Sequence, residues 1–474
     1  MYNPGMNKTT AITRIIPWVV SLALFMELVG ATSLTVAIPA ISQSIHADVI
    51  SLKQSLTSYL ISLAIFIPIS GWLSEKYGAK RIFIFAVISF SLSSLLCGFS
   101  TNLSSLVIFR MLQGVGGALT LPVARLIIYT AFPKTSLVKA TNVALIPGML
   151  GIALGPVIGG VLVHYLSWRW IFFINVPVGI FTVVMASKMS EVVKQLDTRK
   201  LDWWGFILFG VGLAVFAFAT ESLDQGLLSL LKIGGLTLFS LALLTTYFYH
   251  SKRKKDCLLD LTLFKVHTFK IAMIMNFFSR FLSGAVPFLL PLMLQLGLKH
   301  NAMDAGFIMV PYAAGMIMVR FSVSWILKNL GFKRALLCNA FLLSGATACF
   351  SLISTSSSLS VVIFIVFLGG VFVSLQFGFV NTLLFVDMED HELPQGTSID
   401  ATMRQLGLSF GIALGAMLLR LYVGDDFHHT TVVIDMAIFH RVFLLLACVP
   451  ILLMPVLLCL NKNDGHIVSG KRFN

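Results

Sequence analysis

Residues 71–81 read Gly-Trp-Leu-Ser-Glu-Lys-Tyr-Gly-Ala-Lys-Arg, and residues 324–334 read Ser-Trp-Ile-Leu-Lys-Asn-Leu-Gly-Phe-Lys-Arg. Trp72, Gly78, Lys80 and Arg81 recur at one constant offset as Trp325, Gly331, Lys333 and Arg334. Each copy is a short basic loop between two long apolar stretches. The chain is therefore expected to be two halves built on one plan, an arrangement that in membranes places a solute path between the halves.

Composition agrees. Of 474 residues, 57% are hydrophobic and 11% charged, and the mean hydropathy is +0.91. A soluble domain cannot hide that much apolar surface. The net charge of +14 does not point to nucleic acid, because the cations fall in short loops rather than on one face. Cys97, Cys257, Cys338, Cys349, Cys448 and Cys459 lie mostly in apolar stretches and match no zinc or redox spacing. The first apolar stretch is too long for a cleaved signal and reads as a span.

With about 20 apolar residues per crossing, fourteen spans are expected: 15–39, 55–74, 81–100, 104–132, 140–165, 168–188, 202–221, 229–249, 269–297, 302–327, 334–354, 358–387, 398–423 and 436–460. Loops on the terminus side carry Lys76, Lys80, Arg81, Lys134, Lys139, Lys188, Lys194, Arg199, Lys200, Lys252–Lys255, Lys328, Lys333 and Arg334. The opposite loops carry little beyond Lys53, Arg169, Lys232 and Lys299. Both termini are thus expected in the cytoplasm. The repeat pairs span 2 with span 10. It predicts a six-helix bundle over 1–190, two linker helices over 191–262 and a second bundle over 263–474.

Charges inside spans need a partner or a purpose, since one at the helix centre costs about 2.5–3.5 kcal/mol. Glu27 sits mid-span among Phe25, Met26, Leu28 and Val29. A buried carboxyl can bind and release a proton near neutral pH. Arg110 falls at a similar depth in span 4, with Gln113 one turn on. It can compete with a proton for the carboxylate. Arg280 and Arg320, without a local partner, are candidates for the substrate cavity; Arg125 also lies in a span, and Arg404 can pair with Asp400 along one helix.

Gly114, Gly116 and Gly117 follow no strand, so they are no nucleotide loop. With Gly151, Gly155, Gly159 and Gly160 they read as sites of close helix approach, and Pro156 as a bend. Gly407, Gly411 and Gly415 repeat the spacing on span 13. The histidines form no ligand cluster; His428 and His429 beside Asp425 and Asp426 read as a solvated loop. No metal site and no nucleophile–base pair can be assigned.

These strings resemble the major facilitator superfamily, and within it the fourteen-helix drug:proton antiporter branch of EmrB/QacA type. Gly71, Glu75, Gly78, Lys80 and Arg81 match its loop 2–3 gating motif, with Glu75 where an Asp is usual. Arg110 and Gly114 match the fourth-helix proton signature. Gly151-x-x-x-Gly155-Pro156-x-x-Gly159-Gly160 matches the antiporter motif of the fifth helix. Trp168-Arg169-Trp170 through Asn175, Pro177 and Gly179 resembles the start of the sixth, and Arg404-Gln405-x-Gly407 with Gly411 the thirteenth. The chain departs from the pattern on helix 1, where Gly30 takes the usual Asp position and Glu27 stands one turn earlier, on the same face.

The resemblance implies alternating access and proton-coupled efflux of amphipathic or cationic organic compounds from a bacterial inner membrane, with Glu27 and Arg110 coupling the proton. It implies no cofactor beyond the proton gradient. The partners are a small-molecule substrate, protons and the bilayer, with a periplasmic adaptor protein left open. The alternative is a proton-linked carrier of a specific metabolite such as an organic acid, favoured if Arg280 or Arg320 faces the cavity. A membrane enzyme or sensor would need a catalytic constellation or an output domain, and neither can be found in the sequence.

Overall fold

A computed structural model describes residues 4–132, 134–189, 200–225, 230–254, 257–389, 392–423 and 434–460. Every regular element among them is helical. Twelve helices are long and apolar enough to cross a membrane among the described residues, and Leu34–Ile45, Leu150–Tyr165 and Ala302–Met318 are shorter apolar helices. His428 and His429 lie outside the described residues.

The first half runs α1 (Pro4–Thr32), α2 (Leu34–Ile45), α3 (Lys53–Phe66), α4 (Ser70–Tyr77), α5 (Ala79–Gly98), α6 (Leu103–Ala131), α7 (Lys134–Tyr165), α8 (Trp170–Phe173) and α9 (Asn175–Ser187). Then come α10 (Trp203–Gln225) and α11 (Leu230–Arg253). The second half runs α12 (His267–Leu292), α13 (Ala302–Ile308), α14 (Val310–Met318), α15 (Val323–Cys349), α16 (Leu359–Phe385), α17 (Leu393–Val423), α18 (Met436–Leu452) and α19 (Met454–Leu458). We call the end where α1 begins the near end and the opposite one the far end.

The repeated motif folds the same way twice. Gly78 ends α4 at φ 90°, and Gly331 bends α15 at φ 71°. Only glycine takes such backbone without strain. One residue pair further on, Lys80 Nζ donates to the carbonyls of Ser187 (2.7 Å) and Met189 (2.5 Å). Lys333 Nζ likewise donates to Leu458 (2.8 Å) and Leu460 (2.7 Å). Each lysine places its charge where the last carbonyls of a helix lack partners.

The fifth-span glycines serve two contacts. A Cβ on Gly151 would lie 3.1 Å from Phe25 O, and one on Gly159 would lie 2.5 Å from Ser33 O, so α7 lies directly on α1. On its other face a Cβ on Gly160 would meet Ala302 O at 2.5 Å, bringing α7 onto α13 of the second half. At the far end the halves share one core, which includes Leu34, Trp168, Leu282, Phe288 and Phe439. Gln295 Nε2 also donates across the halves to Val36 O at 2.9 Å. Nearer the other end the first half keeps its own core around Val20, Phe83 and Ile127.

The inserted pair is not peripheral to both halves. Phe206 of α10 meets Phe66 of the first half, with ring centroids 5.6 Å apart. Phe216 meets Phe410 of the second half at 5.5 Å. So α10 covers the seam where α3 and α17 pack together.

Candidate functional site

Arg110 is fully buried on α6. Its Nε donates to Ser55 O at 3.0 Å and its Nη1 to Gln113 Oε1 at 2.6 Å. Its guanidinium lies 4.3 Å from the centroid of the Tyr59 ring. Stacking of this kind stabilises a desolvated cation by about 2 kcal/mol. Gln113 passes the network on. Its Nε2 donates to Ser94 Oγ (3.2 Å), which also accepts from Asn175 Nδ2 (2.9 Å).

Glu27 approaches the same place from α1. A Cβ on Gly117 would lie 2.9 Å from Tyr59 Oη and 3.5 Å from Glu27 Oε1. The glycine is what leaves room for both groups beside α6. Glu27 Oε2 and Tyr59 Oη are buried, and neither has a hydrogen-bond partner among the described residues. The structure thus brings Glu27, Arg110 and Gln113 to one site, but with Tyr59 between acid and base rather than a direct ion pair.

Gly30 faces elsewhere than Glu27. A Cβ there would meet Asn175 Nδ2 at 3.3 Å and Phe90 Cζ at 3.6 Å. The shared face expected for the two positions is therefore only approximate. Glu27 looks toward Tyr59 and Gly117, and position 30 looks toward the Asn175 end of the network.

The second half carries a different site. Asp400 of α17 is buried and accepts from Asn276 Nδ2 and from Arg404 Nη2, both at 2.6 Å. Arg280 Nε donates to Asn276 Oδ1 at 3.3 Å, and its guanidinium lies 3.5 Å from the Phe377 centroid. Arg320 is exposed on the turn Val319–Ser322 and is not part of this cluster.

In the gating motif, Glu75 and Arg81 are exposed at the near end, and a Cβ on Gly71 would meet nothing within 4 Å. Lys76 Nζ lies 4.6 Å from the Trp72 ring. Lys80 is committed to its own half, as described above.

Tyr59 is passed over when the sequence alone is read. One signal marks it: Tyr312 repeats it at the same offset as the Trp72 and Trp325 motifs. Tyr312 is also buried with an unpartnered hydroxyl among the described residues. Asn276 is missed, because its pairing with Asp400 joins positions far apart in the chain.

Residues 20–412 match the Major Facilitator Superfamily. The chain belongs to the major facilitator superfamily. Among relatives of this superfamily member, the "Probable transport protein HsrA" of Haemophilus influenzae is 34% identical over 452 residues, 95% of this chain and 97% of that protein. The "Putative multidrug resistance protein MdtD" of Citrobacter koseri is 33% identical over 464 residues, 97% of each. The fold is similar to a variant of the nucleoside transporter NupG, with TM-score 0.67 and 13% identity over 94% of this chain and 99% of that one. It is also similar to an inward-facing, occupied bacterial homolog of the lysosomal transporter Spinster, with TM-score 0.65 and 12% identity over 94% and 96%. This major facilitator protein is a multi-pass membrane transporter and not an enzyme.

Proposed function

We propose that the chain exports amphipathic or cationic organic compounds in exchange for protons, by alternating access in a bacterial inner membrane. Fourteen spans with both termini cytoplasmic complete this reading. Two of them are α7 and the α13–α14 segment, added to the twelve long apolar helices. The basic loops support the near end as the cytoplasmic one. The relatives' names support export.

The observation that carries the proposal is Glu27. Its Oε2 is buried and has no hydrogen-bond partner among the described residues, beside a Tyr59–Arg110 stack whose guanidinium keeps its charge. Such a carboxyl binds a proton when the site is closed to water and releases it when the site is wetted. A proton moving inward supplies about 2.3 kcal/mol per 100 mV, plus the pH term.

The test uses purified protein in proteoliposomes with an imposed pH gradient and a panel of dyes, drugs and organic acids. At least one solute should move against its own gradient and dissipate the pH difference as it moves. Solute movement that leaves internal pH unchanged overturns the proton reading.

A further inference from the structure

The near-end corner of the inserted pair carries three cations that no hydrogen bond or ion pair among the described residues uses. Asp202 holds the start of α10 against the end of α11, accepting from His250 and Lys254 across the pair. Lys200 stands two residues before it, and Lys252 and Arg253 close α11. All three are exposed, and none meets a carboxylate among the described residues. The two carboxylates nearby are committed elsewhere. Asp202 is buried in its clamp, and Asp260 accepts from Thr262 N at 2.9 Å and Thr262 Oγ1 at 2.6 Å. Lys252 Nζ rests 4.1 Å from the centroid of the Phe248 ring, which leaves its N–H donors facing outward. The motif lysines at this end are occupied by contrast: Lys80 and Lys333 bond the carbonyls at helix ends, and Lys76 stacks on Trp72 and Tyr77.

The same corner has the layering of a bilayer boundary. Trp203 is 59% exposed and Trp204 71%, both at the start of an apolar span. Indole rings settle at the headgroup level, with an apolar body and a polar N–H. Beyond Trp204 the exposed Ile207, Val211 and Phe218 continue one face of α10, at helical spacing. On α11, Tyr249 is exposed one turn below Arg253, and Leu238 is exposed further along. Cations therefore stand above an open apolar wall. A soluble anion would use the upper part alone. A molecule with a phosphate head and acyl chains uses both.

We propose that Lys200, Lys252 and Arg253, with Trp203 and Trp204, form a docking surface for anionic phospholipid headgroups of the near-end leaflet. Phosphate oxygens accept from the cations and from the indole N–H groups, and the acyl chains lie along Ile207 and Val211. A zwitterionic headgroup brings its own cation to this corner and gains less, so the surface selects for net negative charge. Asp202 ties the two helix ends together, and α10 covers the seam of α3 and α17. Lipid held here anchors the inserted pair at a set depth beside that seam. The surface is separate from Glu27 and needs nothing from the transport reading.

The test is a lipid competition on the purified full-length protein in phosphatidylcholine nanodiscs with rising phosphatidylglycerol. One of the two lipids carries brominated acyl chains, which quench the tryptophans they touch. The part of the quenching that disappears in the Trp203→Phe/Trp204→Phe variant reports this corner. For that part, phosphatidylglycerol should be preferred over phosphatidylcholine by about fivefold or more. The triple variant Lys200→Gln/Lys252→Gln/Arg253→Gln should bring the two lipids level, and high salt should lower the preference in wild type.

The three cations are exposed and unbonded, so the triple variant keeps the Asp202 clamp and the fold. Lys328→Gln, an exposed position at the near end of the second half, should leave the preference unchanged. Equal affinity for the two lipids in wild type, or an unchanged preference in the triple variant, overturns the proposal. A preference that falls as far with Lys328→Gln reports attraction to the whole basic face and also overturns it. So does displacement of phosphatidylglycerol by inorganic phosphate at constant ionic strength, which would make this a site for a soluble anion.

Discussion

At the scale of the residue, Glu27 and Arg110 act through what lies between them. The Tyr59 ring takes the guanidinium on its face and turns its hydroxyl toward the carboxyl's side of α6. Replacing Glu27 by Gln keeps the shape and removes the titration. Gradient-driven accumulation in proteoliposomes should fall to the level of protein-free vesicles, with solute binding near wild type. Adding Gly30→Asp to that variant offers Asn175 Nδ2 an acceptor at the head of the Ser94–Gln113–Arg110 chain, and part of the accumulation should return. Persistent accumulation by Glu27→Gln with an unchanged pH profile would remove Glu27 from the mechanism. Glu27, Arg110 and Gln113 were legible because charge and amide inside an apolar run are costly, and cost can be read one residue at a time. Tyr59 was not, since a phenol in a span carries little such mark, and Asn276 was not, since the Asp400 that it meets lies far along the chain. Asp400 was visible, but an Arg four residues away offered a sufficient local account.

At the scale of the element, the two lysine caps and the Asp202 clamp set helix ends. Lys80→Met removes two charge-assisted bonds to the end of α9 and should destabilise the first half by about 1 kcal/mol, given the partial exposure of the lysine. Lys333→Met should do the same at α19. Thermal unfolding of the purified variants checks both. Equal stability of wild type and both variants would show the caps to be ornamental. Asp202, just before α10, accepts from Lys254 Nζ at 2.8 Å, His250 Nε2 at 2.9 Å and Gly205 N at 3.2 Å. Burial alone would raise this carboxyl, but the bonds from Lys254, His250 and Gly205 hold it below the usual carboxylate range. A depressed folded-state value stabilises at pH above the unfolded value and is lost as pH falls through the folded one. Asp202→Asn should therefore cost stability at neutral pH, and the difference from wild type should close on acidification below the ordinary carboxylate range. A gap that stays constant with pH contradicts this. The helix-end glycines were readable from the repeat, because positive φ restricts the residue type. The two-sided use of α7 was not, because glycine spacing says that something comes close but not what.

At the scale of the whole molecule, charge placement and the repeat predict which end of each helix meets which solution. Reporter fusions after residues 195, 258 and 468 should read as cytoplasmic, and fusions after residues 225 and 427 as external. Opposite locations for the two termini would remove the even span count. The duplicated plan was legible in four residues, since a motif fixed by backbone geometry survives where side chains drift. The place of the inserted pair was not legible, because α10 and α11 are apolar on every face and sequence does not say which neighbour they choose. That choice has a consequence for solutes that arrive dissolved in lipid. Two halves related by a pseudo-twofold would present two equivalent lateral windows to the hydrocarbon, one on each flank. Here Phe206 and Phe216 shutter the flank between α3 and α17, while α10 leaves the flank between α7 and α14 unshuttered. The duplication is thus broken sideways: one seam between the halves lies behind an added helix that the other seam, where α7 meets α13 and α14, does not share.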